Sequence, residues 1–182
     1  MNTKIRCPWS ETHELFTPYH DKEWGTPEHD DRMLFEMLNL EGAQAGLSWL
    51  TVLKKRENYR KAFDTFDAKK IIKYTDAKKE QLMQNEGIIR NRLKIAAVIE
   101  NARAFLTVQK EHGSFNKYIW SFVNNKTIPH SKREEAMAIS EVMSKELKKR
   151  GFKFVGATIC FAFMQAVGMV NDHSPECFKY KK

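Results

Sequence analysis

GIIRNRLKIAAVIENARAFLTV, residues 87–108, decides the fold class. From Arg92 its apolar residues Ile95, Val98, Ile99, Ala102 and Leu106 recur three or four positions apart, the period of one helix face. The same period extends outward in both directions. Upstream, Asp30 or Asp31 can cap a helix carrying Met33, Leu34, Met37 and Leu38 on one face. SWLTVLKKRENYRKAF, from Ser48, predicts a helix with Leu50, Leu53 and Phe63 inward, and Asp67 and Asp76 read as caps of short helices at about 68–74 and 77–85. Downstream, helices are expected at about 114–124, 133–149 and 156–168. Gly151 would stop the penultimate one behind Lys148-Lys149-Arg150, cations that suit a helix C-terminus. No segment sustains strand-like alternation, so the chain reads as all-α.

The chain has 182 residues, enough for one domain and a sizeable core. Hydrophobic residues at 42% and charged residues at 30% are ordinary for a folded soluble chain and argue against disorder. No apolar run is long enough to span a membrane, and MNTKIRCPWSETHELF has no apolar signal region. The expected compartment is therefore the cytoplasm, where three cysteines do not form a disulfide framework. A net charge of +8 suits a polyanionic partner such as nucleic acid.

The two ends break the helical pattern. Residues 1–29 and 170–182 are polar, weakly periodic and hold four of the five prolines. Each end carries a cysteine and a histidine that could act as ligands together: Cys7 and His20, then His173 and Cys177. Two thiolates and two imidazoles make a closed tetrahedral zinc set, which would be structural. Inert cysteines and surface histidines are the alternative. Cys160, within ATICFAFMQAVG, reads as core.

LEGAQAGLSWLTVLKKRENYR, from Leu40, places Glu41 beside an apolar helix face, then Gly42, Gly46, Leu47 and Trp49. Trp9, Tyr19 and Trp24 lie upstream. A carboxylate among such rings suits a flat cationic ligand with N–H groups, although aromatics of this kind also simply pack cores. Around Gly87 a tight turn joins two helices, with Arg90, Arg92 and Lys94 following. Such a hairpin can aim backbone N–H groups at a phosphate, or it can be a plain helix connection.

Taken together, CPW at Cys7, YHDKEWG from Tyr19, the stretch from Phe35 to Arg60, GIIRNRLKI, LKKRGFKFVGATIC and NDHSPEC resemble the 3-methyladenine DNA glycosylase I family over nearly the whole chain. The resemblance implies a helix-hairpin-helix glycosylase-like domain with its termini tied by one structural zinc. It implies a single unit over residues 1–182, with a helical core at about 30–125, a hairpin near 87–94, and residues 1–29 and 126–182 packed as a second lobe. Carried over, the zinc ligands are Cys7, His20, His173 and Cys177. The catalytic or base-recognising carboxylate is Glu41, with Trp9, Tyr19 and Trp49 around the base. Gly46, Leu47, Gly87, Arg90, Arg92 and Lys94 would face DNA, and the partner would be duplex DNA containing alkylated adenine, bound by a monomer.

A target base inside the helical stack must be flipped out. A methylated adenine is cationic and leaves neutral, so little acid catalysis is needed. Lys94 follows the hairpin where an amine nucleophile could stand, but no Asp occurs between Asp76 and Asp172 to support it. The expected reaction is therefore monofunctional hydrolysis leaving an abasic site. A non-catalytic, zinc-tied module that binds damaged DNA is the rival reading.

Overall fold

Ten consecutive residues, Leu34 to Ala43, are buried in helix α2 (Asp31–Gln44), which is therefore covered on every side. The computed structural model, which describes residues 4–181, builds its other helices around this one. They are α1 (Phe16–Lys22), α3 (Trp49–Ala62), α4 (Ala68–Ile71), α5 (Asp76–Met83), α6 (Arg92–His112), α7 (Phe115–Ser121), α8 (Arg133–Lys149) and α9 (Ala157–Ala166). Helix α2 packs against α3, α6 and α7, and also against α9. One hydrophobic cluster runs from Tyr19 to Val170.

The two aspartates before α2 divide the work. Asp30 is the cap, accepting from Met33 N–H at 2.9 Å. Asp31 instead accepts from Phe115 N–H and Asn116 N–H at 2.8 and 2.7 Å, satisfying free donors in the first turn of α7. Asp67 caps α4 as expected, but the cap of α5 is Thr75, not Asp76. In α3 the buried positions are Val52, Arg56, Tyr59 and Ala62, and Phe63 is buried just past its end, whereas Leu50 and Leu53 are half-buried. Helix α8 matches its predicted bounds, and its buried residues Ala136, Ser140, Met143, Ser144 and Leu147 form one face against α9. Gly151 ends it with φ +92°, a left-handed stop.

Two further features departed from expectation. The N-terminal segment is not all loop: Pro8–Glu11 is a 3₁₀ turn and α1 carries Tyr19 and His20. Their adjacency on a helix sends the two side chains in different directions. Second, β1 (Ile128–Pro129) pairs in parallel with β2 (Val170–Asn171). Two residues are too few to show an alternating pattern, so this bridge is invisible in sequence.

Candidate functional site

The four ligand-type residues from the chain ends meet. Cys7, His20, His173 and Cys177 are all buried, and their donor atoms lie within 4.8 Å of one another. Cys177 Sγ is 3.4 Å from His20 Nε2, and His173 Nδ1 is 3.5 Å from both sulfurs. Metal bonds of about 2.3 Å to sulfur and about 2.0–2.1 Å to nitrogen, at a tetrahedral angle, put S and N about 3.5 Å apart. These three sulfur–nitrogen edges thus have the length expected of a tetrahedral site.

Its surroundings fit the same reading. The other nitrogen of His20, Nδ1, meets Asp21 Oδ1 at 2.8 Å. Arg6 grips that carboxylate through Nε and Nη2, holding Asp21 down to about 2. A carboxylate behind a ligating imidazole fixes its tautomer and orientation. Burial lowers His20 and pushes His173 down to about 4, so both rings are neutral near pH 7, the form that ligates. Ser174 N–H points at Cys7 Sγ and Lys179 N–H at Cys177 Sγ, as donors do toward thiolates. Lys179 Nζ also reaches the carbonyls of His20, Asp21 and Trp24. Gly25 must be glycine: at φ +70° a Cβ there would stand 2.6 Å from His173 Nε2.

The aromatic residues form a second, adjoining feature. Trp9, Tyr19, Trp24 and Trp49 line a cavity of about 190 Å³ together with Glu41, Gln44, Ala162 and Gln165. Tyr19 and Trp49 lie 5.4 Å apart between ring centroids, and Trp9 meets Trp24 edge-on at 5.0 Å. Glu41 is only 4% exposed. Burial alone pushes its carboxyl up to about 8. Trp49 Nε1 is buried without a hydrogen-bond partner. The cavity wall therefore holds an acid that folding has left without a partner, with a second unsatisfied group, Trp49 Nε1, buried beside it, a costly arrangement for the chain alone. The amide nitrogen of Gln165 donates to Asp172 Oδ2, leaving its oxygen as the free acceptor.

Glu41 and Gln44 also border a second hollow of about 210 Å³, with Ala45, Gly46, Leu47, Thr158 and Ile159. Here α2 ends in a tight turn. Ala45 has φ −47° and ψ 116°, Gly46 has φ +76°, and Leu47 N–H bonds Gln44 O, the pattern of a type II turn that needs glycine at its third position. The turn presents Leu47, 42% exposed, beside the hollow.

Three amides at Gly87 and just after it are already bonded within the chain. Gly87 N–H bonds Asn85 Oδ1, Ile88 N–H bonds Asn85 O, and Ile89 N–H bonds Tyr59 OH. Arg92 pairs with Glu80 and Arg90 with Glu86. Lys94 departs furthest from expectation, since its amine is turned inward to the carbonyls of Ala43 and Ala45 at 2.8 and 2.7 Å. Sequence reasoning missed Gln44, Gln165 and Thr158. Gln44 stands three residues after Glu41 on one helix face, a signal that was available. Gln165 and Thr158 reach the site only through the tertiary fold.

Residues 9–180 match the family model described as methyladenine glycosylase. The chain is 50% identical over 177 residues to the DNA-3-methyladenine glycosylase of Haemophilus influenzae, covering 94% of this chain and 96% of that one. It is 51% identical over 180 residues to DNA-3-methyladenine glycosylase 1 of Escherichia coli, covering 96% of each. Among solved structures, a variant 3-methyladenine DNA glycosylase I with one tyrosine changed to phenylalanine, in complex with 3-methyladenine, superposes with a TM-score of 0.91. That protein is 35% identical, over 97% of this chain and 98% of its own.

Proposed function

The chain belongs to the methyladenine glycosylase family, and from that premise we propose that the cavity around Glu41 takes up 3-methyladenine flipped out of DNA. The activity is that of a DNA repair glycosylase, an N-glycosyl hydrolase that excises 3-methyladenine and leaves an abasic site. The observation that carries the assignment to this cavity is Glu41, a buried carboxyl without a counter-charge among aromatic rings.

The lesion and the cavity complement each other. The methylated ring is cationic while joined to its sugar, and Glu41 supplies the missing anion and accepts from the ring's N–H groups. Tyr19, Trp9 and Trp49 border its faces and edges. A neutral adenine gains less from the carboxylate, which gives selectivity. Bond cleavage removes charge from the ring, so an anionic Glu41 stabilises the bound lesion at least as much as the transition state. Glu41 is thus a recognition group, because only interactions stronger in the transition state raise kcat. The rate comes from the leaving group, which departs neutral, and from a water that attacks C1′ as the base leaves. The inward-turned Lys94 amine is spoken for by two carbonyls, so water is the nucleophile.

The cluster of Cys7, His20, His173 and Cys177 fits zinc, whose preferred donors are thiolate and imidazole. Bound there, the metal would fasten the two chain ends and complete its four positions with protein atoms, leaving none for substrate. Leu47 is read as the side chain that fills the space of the flipped nucleotide. A reducing cytoplasm would keep the thiols available. Release of free 3-methyladenine from alkylated duplex DNA tests the reading. Binding without release would leave only a damage-binding module, and a covalent adduct trapped by borohydride would contradict hydrolysis by water.

A further inference from the structure

We propose that Lys94 is a positioning residue for the reaction, a strut that reaches across from the start of α6 and holds the Ala45–Leu47 turn rigid. The inference rests on the reading of Leu47 as the DNA-inserting side chain. The last carbonyls of a helix lack partners within it, and the negative end of the helix dipole gathers there. In α2 those carbonyls meet a cation from a segment about fifty residues away in sequence: Lys94 Nζ donates to both Ala43 O and Ala45 O. One of these carbonyls lies in the last turn of α2 and the other inside the type II turn itself. The amine therefore bridges the one place where the chain could hinge before Leu47.

The base of Lys94 is fixed as well. Its own N–H bonds the Asn91 side chain, which caps α6. Lys94 is half-buried and lines a small recess with Asn39, Gly42, Tyr59 and Asn101, and that partial burial lowers its pKa. A half-buried lysine that donates to two backbone carbonyls gives up part of its hydration to do so. Leu47 must push between stacked bases, and a side chain on a loose turn would yield instead. The two carbonyl bonds convert the turn into part of the α2–α6 framework.

The test is a double-mutant cycle on alkylated duplex DNA with Lys94→Met, Leu47→Ala and the double variant. Lys94→Met is expected to lower kcat/KM by about tenfold or more, the scale of a misplaced contact. Combined with Leu47→Ala it should add less than about threefold, because both changes remove one function. Affinity for free 3-methyladenine, read by calorimetry, should stay within about twofold of wild type, since the free base needs no insertion. Lys94→Arg, which keeps two donors, should recover most of the loss. Independent effects in the cycle, an unchanged kcat/KM for Lys94→Met, or an equal loss in free-base affinity would each overturn the proposal. Should Lys94→Met not fold, Gly46→Ala disturbs the same turn from the other side. Its Cβ meets nothing within 4 Å although φ +76° strains it. It should show the same non-additivity with Leu47→Ala, and additivity would count against the strut. Absence of base release by wild type would refute the proposed function instead, which keeps the two failures apart.

Discussion

The Trp24 ring meets His173 edge-on at 4.6 Å on one side and Trp9 at 5.0 Å on the other, so the four-ligand cluster and the base cavity share a wall. Their construction differs. In the cluster three of the four ligands are backed by the chain: His20 by Asp21, which Arg6 holds, Cys7 by Ser174 and Cys177 by Lys179, while the far nitrogen of His173 is buried without a partner. In the cavity the polar groups Glu41 and Trp49 Nε1 are left without partners. One region is mostly satisfied by the chain and could be completed by a metal; the other leaves its polar groups for something outside the chain. The contrast separates groups that hold the fold from groups that cost it stability for the sake of a ligand.

The largest effect that could break the contrast lies in the cluster. Replacing Cys177 by Ser, or treating the protein with a chelator, should cost several kcal/mol and lower the melting temperature steeply, since a metal held there would join both termini. Cys160→Ser should retain the metal, because Cys160 sits in the core away from the cluster. Metal analysis with thermal melting checks both, and a fully folded metal-free protein of unchanged melting temperature would contradict the assignment.

A smaller effect, opposite in sign, is expected in the cavity. Glu41 has its carboxyl raised from 4.5 in an unstructured chain to about 8. Between these values the folded state binds a proton that the unfolded state does not, so this group's contribution to stability is full at low pH and is lost as pH rises toward 8. Glu41→Gln should therefore stabilise the protein at pH 8 by roughly 3–5 kcal/mol at most, while weakening uptake of the base. Denaturant unfolding at pH 5 and pH 8 measures it. A destabilised Glu41→Gln protein at pH 8 would mean that the carboxylate has a structural partner after all.

The smallest effect concerns the turn after α5. Arg90 and Arg92 already pair with Glu86 and Glu80, so their replacement by Ala should change the slope of log affinity against log salt by less than the ~0.9 expected for each freely contacted phosphate. Full losses at both positions would show that DNA breaks these exposed pairs and that the turn is a major contact.

Legibility in the sequence followed the same division. Helices with a long period, α6 and α8 above all, were visible because their buried faces repeat every three or four residues. The cluster was visible because cysteine and histidine are rare enough to stand out at two irregular ends. Helix α1 was hidden, since seven residues around a proline give too short a period. The orientation of Lys94 was also hidden: its partners are backbone carbonyls, which every residue has and no sequence pattern marks. The same holds for the amides near Gly87, whose acceptors Asn85 and Tyr59 could be ordinary surface or core residues on sequence alone. Gln165 enters the cavity only because α9 packs on α2.

The central claim is that Glu41 meets the cationic base, and it is tested most directly by the pH dependence of kcat/KM for release of 3-methyladenine from alkylated duplex DNA. In the free protein Glu41 gives up its proton near pH 8, and a bound cation favours the ionised form. For wild type, kcat/KM should climb with pH by up to about tenfold per unit and level off near pH 8. For Glu41→Gln, it should be lower and flat across the same range. A wild-type profile with no rise below pH 8, or an equal rise in Glu41→Gln, would contradict the account.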